Sequence, residues 1–385
     1  MSRKFFIYFA AIIFIVSSFN LKAQQSEEDI ILGKEVTLRS EVLNEDRVID
    51  IYLPEGYRAT QSRFPVLYLL DGENHFVHGS GTAYFLARYG LIPQLIVVAI
   101  KNVDRTRDFT HTKVEARPTS GGAEKFTKFI KDELMTYMNE NYRTVDFNIL
   151  FGHSLGGMYA FYSMLEHPEM FNAYIAASPH LIYDDNYIVS KYEDEFSSAD
   201  IKNKFMFFSI GNEPDYFPSI ERMQEILSST ESDRFIWDYE KYENDTHMTT
   251  THKTLYDGLE SLYVDWTLPA ELADAGLEEI VQHYKNISDR YGYDVNIPET
   301  TLNALGYRAL NQNNYDLALK MFKKNVELYP ASANVYDSLG EMYERMEKYS
   351  LASKNYLKAY ETAKEMNHPL TLTFKKNYER VKDKE

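Results

Sequence analysis

The sequence predicts an α/β fold: a mostly parallel β-sheet with helices on both faces, followed by a small all-α helical region. Three observations lead there. The apolar runs at 64–70, 95–100 and 205–210 are continuous rather than alternating, as in strands buried on both faces. Segments with helical spacing of apolar residues lie between such runs. From residue 299 the pattern changes and repeats with a period of about 34 residues.

In chain order, 34–43 and 47–53 read as strands, the second ended by Pro54-Glu55-Gly56-Tyr57. The buried strand 64–70 runs into Asp71-Gly72-Glu73. A helix at 83–89 precedes the strand 95–100. Helical spacing over 122–142 places Phe126, Phe129, Ile130, Leu134, Tyr137 and Met138 on one side. A strand at 147–151 is followed by a helix at 158–166, which His167-Pro168 stops. Strands at 174–177, 205–210 and 235–239 and a helix at 251–266 complete the larger domain.

A connecting helix at 270–291 and a linker at 292–298 follow. Gly306, Ala318, Phe322 and Pro330 are then matched by Gly340, Ala352, Tyr356 and Lys364 at the tetratricopeptide period of about 34 residues. Only the proline fails to recur. Two repeats are few for independent stability, so they are expected to pack on 270–291 and to be capped by 370–381. The expected division is a signal peptide at 1–23, the α/β domain at 24–269, the connector at 270–298 and the repeats at 299–385.

The signal peptide rests on Arg3 and Lys4, an apolar run at 5–16 and small Ala23 before Gln24. The run is short for a membrane span, with an uncleaved anchor as the alternative. A periplasmic or secreted location is expected. The chain has no cysteine, which excludes disulfides, thiolate metal sites and a cysteine nucleophile and suits an oxidising compartment. A formal charge of −17 argues against nucleic acid as a partner.

The chemistry centres on Gly152-His153-Ser154-Leu155-Gly156, entered from a strand and left by a helix. That is the nucleophile elbow of an α/β-hydrolase, in which a sharp turn lifts the serine out of the sheet edge. A serine hydroxyl needs a base. In such folds the chain order is serine, acid, histidine. His75, His78, His111 and His153 come too early, and His180 precedes the strand that should carry the acid. His247, in a polar loop after the 235–239 strand, is preferred over His252, which falls inside the next helix. For the acid, Glu213 ranks ahead of Asp215, with Glu221 third and an acid-free dyad as the remaining alternative. The Leu155 amide supplies one oxyanion donor. The loop after 64–70 should supply the other, for which the Glu73 amide is the candidate.

Taken together, Leu69-Leu70-Asp71-Gly72-Glu73, Asp104-Arg105-Thr106-Arg107-Asp108, the serine motif and Asp245-Thr246-His247 resemble the "Putative esterase" family. This family includes esterase D, enterobactin-type siderophore esterases, feruloyl esterases and the antigen 85 mycolyltransferases. The resemblance spans roughly 34–266. It implies Ser154 as nucleophile, His247 as base and the Glu73 and Leu155 amides as oxyanion hole. It also implies that the Arg105–Asp108 loop, with Arg107 and Asp108 as its candidate residues, lies near the pocket; the other reading of that loop is a structural Arg–Asp pair. The acid varies within the family, so Glu213 and Asp215 both stand. The helical tail lies outside the general family pattern.

The expected function is that of an exported serine esterase working through an acyl-enzyme, with no metal or organic cofactor implied. Siderophore lactones, decorated glycans and simple esters all fit as substrates. Two rival readings remain: an acyltransferase using the same acyl-enzyme, and a platform on which the repeats bind a protein or peptide partner.

Overall fold

Eight strands form one sheet in the computed structural model, which describes residues 30–57, 61–199, 201–229 and 235–384. They are β1 Lys34–Ser40, β2 Glu45–Tyr52, β3 Phe64–Leu69, β4 Ile96–Ile100, β5 Thr144–His153, β6 Ala173–Ala177, β7 Phe205–Ile210 and β8 Ile236–Lys241. Their spatial order is β1-β2-β4-β3-β5-β6-β7-β8. β2 runs antiparallel to β1 and β4, and every other pairing is parallel. The expected signal peptide at 1–23 lies outside the described residues.

The helices are α1 Gly72–Arg88, α2 Arg105–Phe109, α3 Ala123–Lys128, α4 Met135–Asn141, α5 Leu155–Glu166, α6 Tyr183–Glu195, α7 Phe217–Ser228, α8 Thr250–Leu262 and α9 Leu277–Tyr291. The C-terminal region is helical: α10 Glu299–Asn311, α11 Tyr315–Leu328, α12 Ala333–Arg345, α13 Tyr349–Glu365 and α14 Thr371–Val381. The fold class is therefore the one the sequence predicts.

Successive strand residues point to opposite faces, and both faces are apolar. Tyr68, Leu70 and Phe208 join Phe126, Met158, Phe161 and Tyr192 on one side. Leu67, Leu69 and Phe207 join Ala83, Leu86, Leu255 and Leu259 on the other. The second core does not stop at the sheet domain. It continues through Tyr263 and Trp266 to Ile280, Tyr284 and Ile287 of α9, and on to Leu302 of α10 and Met321 of α11. Within the tail, Gly306 lies under the Phe322 ring and Gly340 under the Tyr356 ring, so each glycine lets its helix pair close.

Several expectations move. The 83–89 helix starts eleven residues earlier, at Gly72, because a Cβ there would meet the β4 backbone and only glycine lets the helix begin so close to the sheet. β1 ends at Ser40 instead of 43, where the Glu133 carboxylate accepts hydrogen bonds from the Ser40 hydroxyl and the amides of Glu41 and Val42. The 122–142 helix is continuous but contains a π-helical stretch at Phe129–Leu134. The single 270–291 helix is broken at Gly276, whose φ of 133° is not helical. Helices α6 and α7 are absent from the sequence reading.

Arg107 and Asp108, expected beside the pocket, are held in ion pairs with β2. Arg107 pairs with Glu45, and Asp108 lies fully buried between Arg107 and an equally buried Arg47, 2.7 Å away. This is the structural Arg–Asp reading of the loop, and it ties α2 to β2.

Two measurements test this packing. Asp108→Ala leaves the buried Arg47 guanidinium with Glu45 as its one remaining carboxylate, 2.9 Å away, and takes from Arg107 one of its two, so urea unfolding should show a loss of about 3 kcal/mol. Truncation after Pro298 removes Leu302 and Met321 from the α9 face, and the fragment should be insoluble or aggregated by size-exclusion chromatography. A soluble monomeric fragment would mean the tail is dispensable for the core.

Candidate active site

β5 carries the chain to His153, and α5 leaves at Leu155. Between them Ser154 sits at φ 58°, ψ −116°, a strained conformation for a residue with a Cβ. A Cβ on Gly152 would overlap the Gly156 carbonyl, so the turn can close only with glycine there. Backbone bonds hold the serine from both sides. Its N–H donates to the Ala177 carbonyl at 3.0 Å, and its carbonyl accepts from the His180 N–H at 3.0 Å.

Three strands along the sheet from β5, the loop between β8 and α8 presents His247. Its Nδ1 is 2.5 Å from Glu213 Oε2. The other oxygen, Oε1, accepts from the Ser178 hydroxyl at 2.7 Å and the Gly211 amide at 3.1 Å. Burial pushes the Glu213 carboxyl up, but the bonds from His247, Ser178 and Gly211 outweigh it and hold the group below its ordinary value. Asp215 is exposed in the following turn and takes no part in this arrangement. The structure therefore pairs His247 with Glu213. His252 stands apart, its ring 5.5 Å from that of His78.

His153 joins the serine to the histidine. Its Nε2–H donates to the His247 carbonyl at 2.7 Å, and the two rings are 4.6 Å apart. Among the described residues the Ser154 hydroxyl has no hydrogen-bond partner. Such contacts often tighten only when substrate arrives.

Leu155 and Glu73 each lie in the first turn of a helix, α5 and α1, where backbone amides lack an intrahelical acceptor. β3 and β5 are parallel neighbours, so the two helix starts share one end of the sheet. Arg105 binds them together. It forks onto both Asp71 oxygens at 2.6 and 2.9 Å and donates to the His153 carbonyl at 3.0 Å. Asn102 adds bonds to Asp71 and Glu73.

Arg105, the His153 ring and Ser178 were not singled out from the sequence. Arg105 belongs to the Arg105–Asp108 loop, but nothing in the sequence separates its role from those of Arg107 and Asp108. Ser178 gave no signal, because an Ala-Ser-Pro tripeptide is unremarkable as text.

The surroundings are electrostatically uneven. Burial, then the charges of Arg117, His247 and Arg105, hold His180 down to about 4. Of these two arginines, Arg105 is paired with Asp71, and Arg117 lies over the Tyr183 ring. Burial, with His247 beside it, likewise holds His153 down to about 4, and burial with His78 holds His75 to about 3.

Both buried histidines must stay neutral for the chain to fold, whereas in the unfolded chain they protonate near pH 6.5. Below that pH the unfolded state binds more protons. Stability should be full above about pH 6.5 and fall as pH drops towards 5, by at most about 1.4 kcal/mol per pH unit for each histidine. Urea midpoints across this range check it, and His153→Gln, which keeps a donor but cannot titrate, should flatten the slope.

Comparison with known proteins agrees with the fold. Residues 40–257 match the family described as "Putative esterase". The ferri-bacillibactin esterase BesA of Bacillus subtilis (strain 168) is 31% identical over 194 residues, covering 44% of this chain and 66%, just under two thirds, of that protein. The siderophore triacetylfusarinine C esterase of Aspergillus fumigatus is 30% identical over 137 residues, covering 32% of this chain and 47% of that one. Among solved structures, an IroE-like serine hydrolase from Shewanella oneidensis superposes with a TM-score of 0.67 at 28% identity, covering 77% of this chain and 99% of that chain.

Proposed function

The chain belongs to the "Putative esterase" family of carboxylic ester hydrolases, and we propose that it cleaves ester-linked siderophores through an acyl-enzyme on Ser154. The observation that carries the reading is the Glu213–His247 pair, 2.5 Å apart, set beside a strained serine elbow.

With its Nδ1–H held by Glu213, the His247 ring presents the Nε2 lone pair as a base. His247 takes the Ser154 proton as Oγ attacks the ester carbonyl. The Leu155 and Glu73 amides stabilise the oxyanion that forms. His247 then gives its proton to the leaving alcohol. Water, activated by the same histidine, resolves the acyl-enzyme to a carboxylate and free serine. Glu213 fixes the tautomer and offsets the charge on the imidazolium.

The siderophore class rests on the two relatives named for that activity, BesA and the triacetylfusarinine C esterase. Arg117, whose charge bears on His180, suits a substrate carrying negative charge, as a ferric catecholate complex does. On the Arg3-to-Ala23 pattern we place the reaction outside the cytoplasm. Among the described residues no helix is long and apolar enough to cross a membrane.

The test is turnover of short-chain p-nitrophenyl esters, a catecholate trilactone and a cyclic hydroxamate ester, with products read by mass spectrometry. Ser154→Ala and His247→Ala should each lower kcat by about 10³-fold or more, and a fluorophosphonate should label Ser154. Glu213→Gln should fall well below wild type, while Asp215→Ala stays within about twofold. Retained turnover in Ser154→Ala would sink the assignment. A new ester formed on adding an alcohol would move the protein to the acyltransferases.

A further inference from the structure

We propose that Ser178 is a positioning residue of this site, and that the turn from Ala177 to His180 couples the serine elbow to Glu213. The inference rests on the roles proposed above for Ser154, His247 and Glu213.

Ser178 is fully buried at the C-terminal end of β6, between the strand that carries Ser154 and the strand that leads to Glu213. Its φ is 40°, a left-handed conformation that costs any residue with a side chain and suits glycine best. What serine adds over glycine at this position is a hydroxyl, and that hydroxyl donates to Glu213 Oε1 at 2.7 Å. Its oxygen is also 3.1 Å from Thr250 Oγ1, at the start of the helix that follows the His247 loop. With Oε2 on His247 and Oε1 shared by Ser178 and the Gly211 amide, neither carboxylate oxygen is free to rotate.

The backbone around Ser178 completes the coupling. The Ala177 carbonyl holds the Ser154 N–H, and the His180 N–H holds the Ser154 carbonyl. Pro179 packs against Gly157, one turn into α5. The Ser178 N–H donates to the Ser209 carbonyl and extends the β6–β7 ladder to the start of the acid loop. Four consecutive residues therefore touch the nucleophile's backbone on one side and the acid's carboxylate on the other. A shift of this turn moves both together. Preorganisation of this kind acts on the transition state and not on substrate binding, so its loss appears in kcat.

The experiment uses the full-length protein, a p-nitrophenyl ester, and the variants Ser178→Gly and Ser178→Ala. Glycine removes the hydroxyl while suiting the backbone, so it carries the test even where alanine, strained at this φ, folds poorly. For Ser178→Gly we expect kcat to fall about 10–100-fold with KM within about twofold. The acid limb of its kcat–pH profile should move to higher pH, because Glu213 loses a donor that favours its anion. Its melting temperature should be unchanged or raised. A role confined to the turn's shape would leave both kcat and the pH profile at wild-type values, and that result overturns the proposal. A wild-type protein that neither turns over esters nor takes the fluorophosphonate label overturns the function proposed above and this inference with it. An active wild type beside an equally active Ser178→Gly overturns this inference alone.

Discussion

A single backbone contact governs the site: the Gly156 carbonyl of α5 approaches Gly152 of β5 so closely that no side chain fits on Gly152. Without that approach the chain could not reverse within one residue, and Ser154 would lie along the sheet instead of standing at its end. The strained serine is the consequence, and the parallel sheet holds it there. Strain at one residue persists only where its neighbours over-determine it. Here the Ala177 carbonyl, the His180 amide and the first turn of α5 do so.

The same end of the sheet gathers everything else. Parallel strands bring their carboxyl ends to one edge, so residues far apart in sequence meet without long excursions. β3 delivers Asp71 and the start of α1, β5 delivers Ser154, β6 Ser178, β7 Glu213, and the loop after β8 His247. Arg105 crosses between the first two of these, fixing the distance between the helix starts whose amides are the proposed oxyanion donors. Burial keeps the histidines behind the site neutral, so His153 serves as a hydrogen-bond donor to the His247 loop without adding a second cation beside it.

The helical tail is bound into this architecture through α9. One apolar core runs from the strands through Tyr263 and Tyr284 to Met321, so the tail shares the stability of the sheet domain. The two glycine–aromatic contacts, Gly306 with Phe322 and Gly340 with Tyr356, show one packing solution used twice at the same spacing.

What the sequence by itself determined is what short-range physics encodes. Continuous apolar runs mark strands buried on both faces, and the strand-to-helix glycine pattern marks the elbow. Chain order singles out His247, and proximity to the strand end favours Glu213. The helix pairs of the tail are equally local, since a glycine and an aromatic ring sixteen residues apart must meet when two short helices fold back. The tertiary structure alone decided the rest. It brought Glu213 within hydrogen-bond distance of His247 and left Asp215 exposed in the next turn. It paired Arg107 with Glu45 and Asp108 with Arg47, both on a strand far back in the sequence, and set Arg105 on Asp71 and the His153 carbonyl instead. It revealed Ser178, whose meaning lies in a partner thirty-five residues further on. Each of these depends on the direction in which a side chain points once distant strands are paired, and a linear pattern carries no record of that direction.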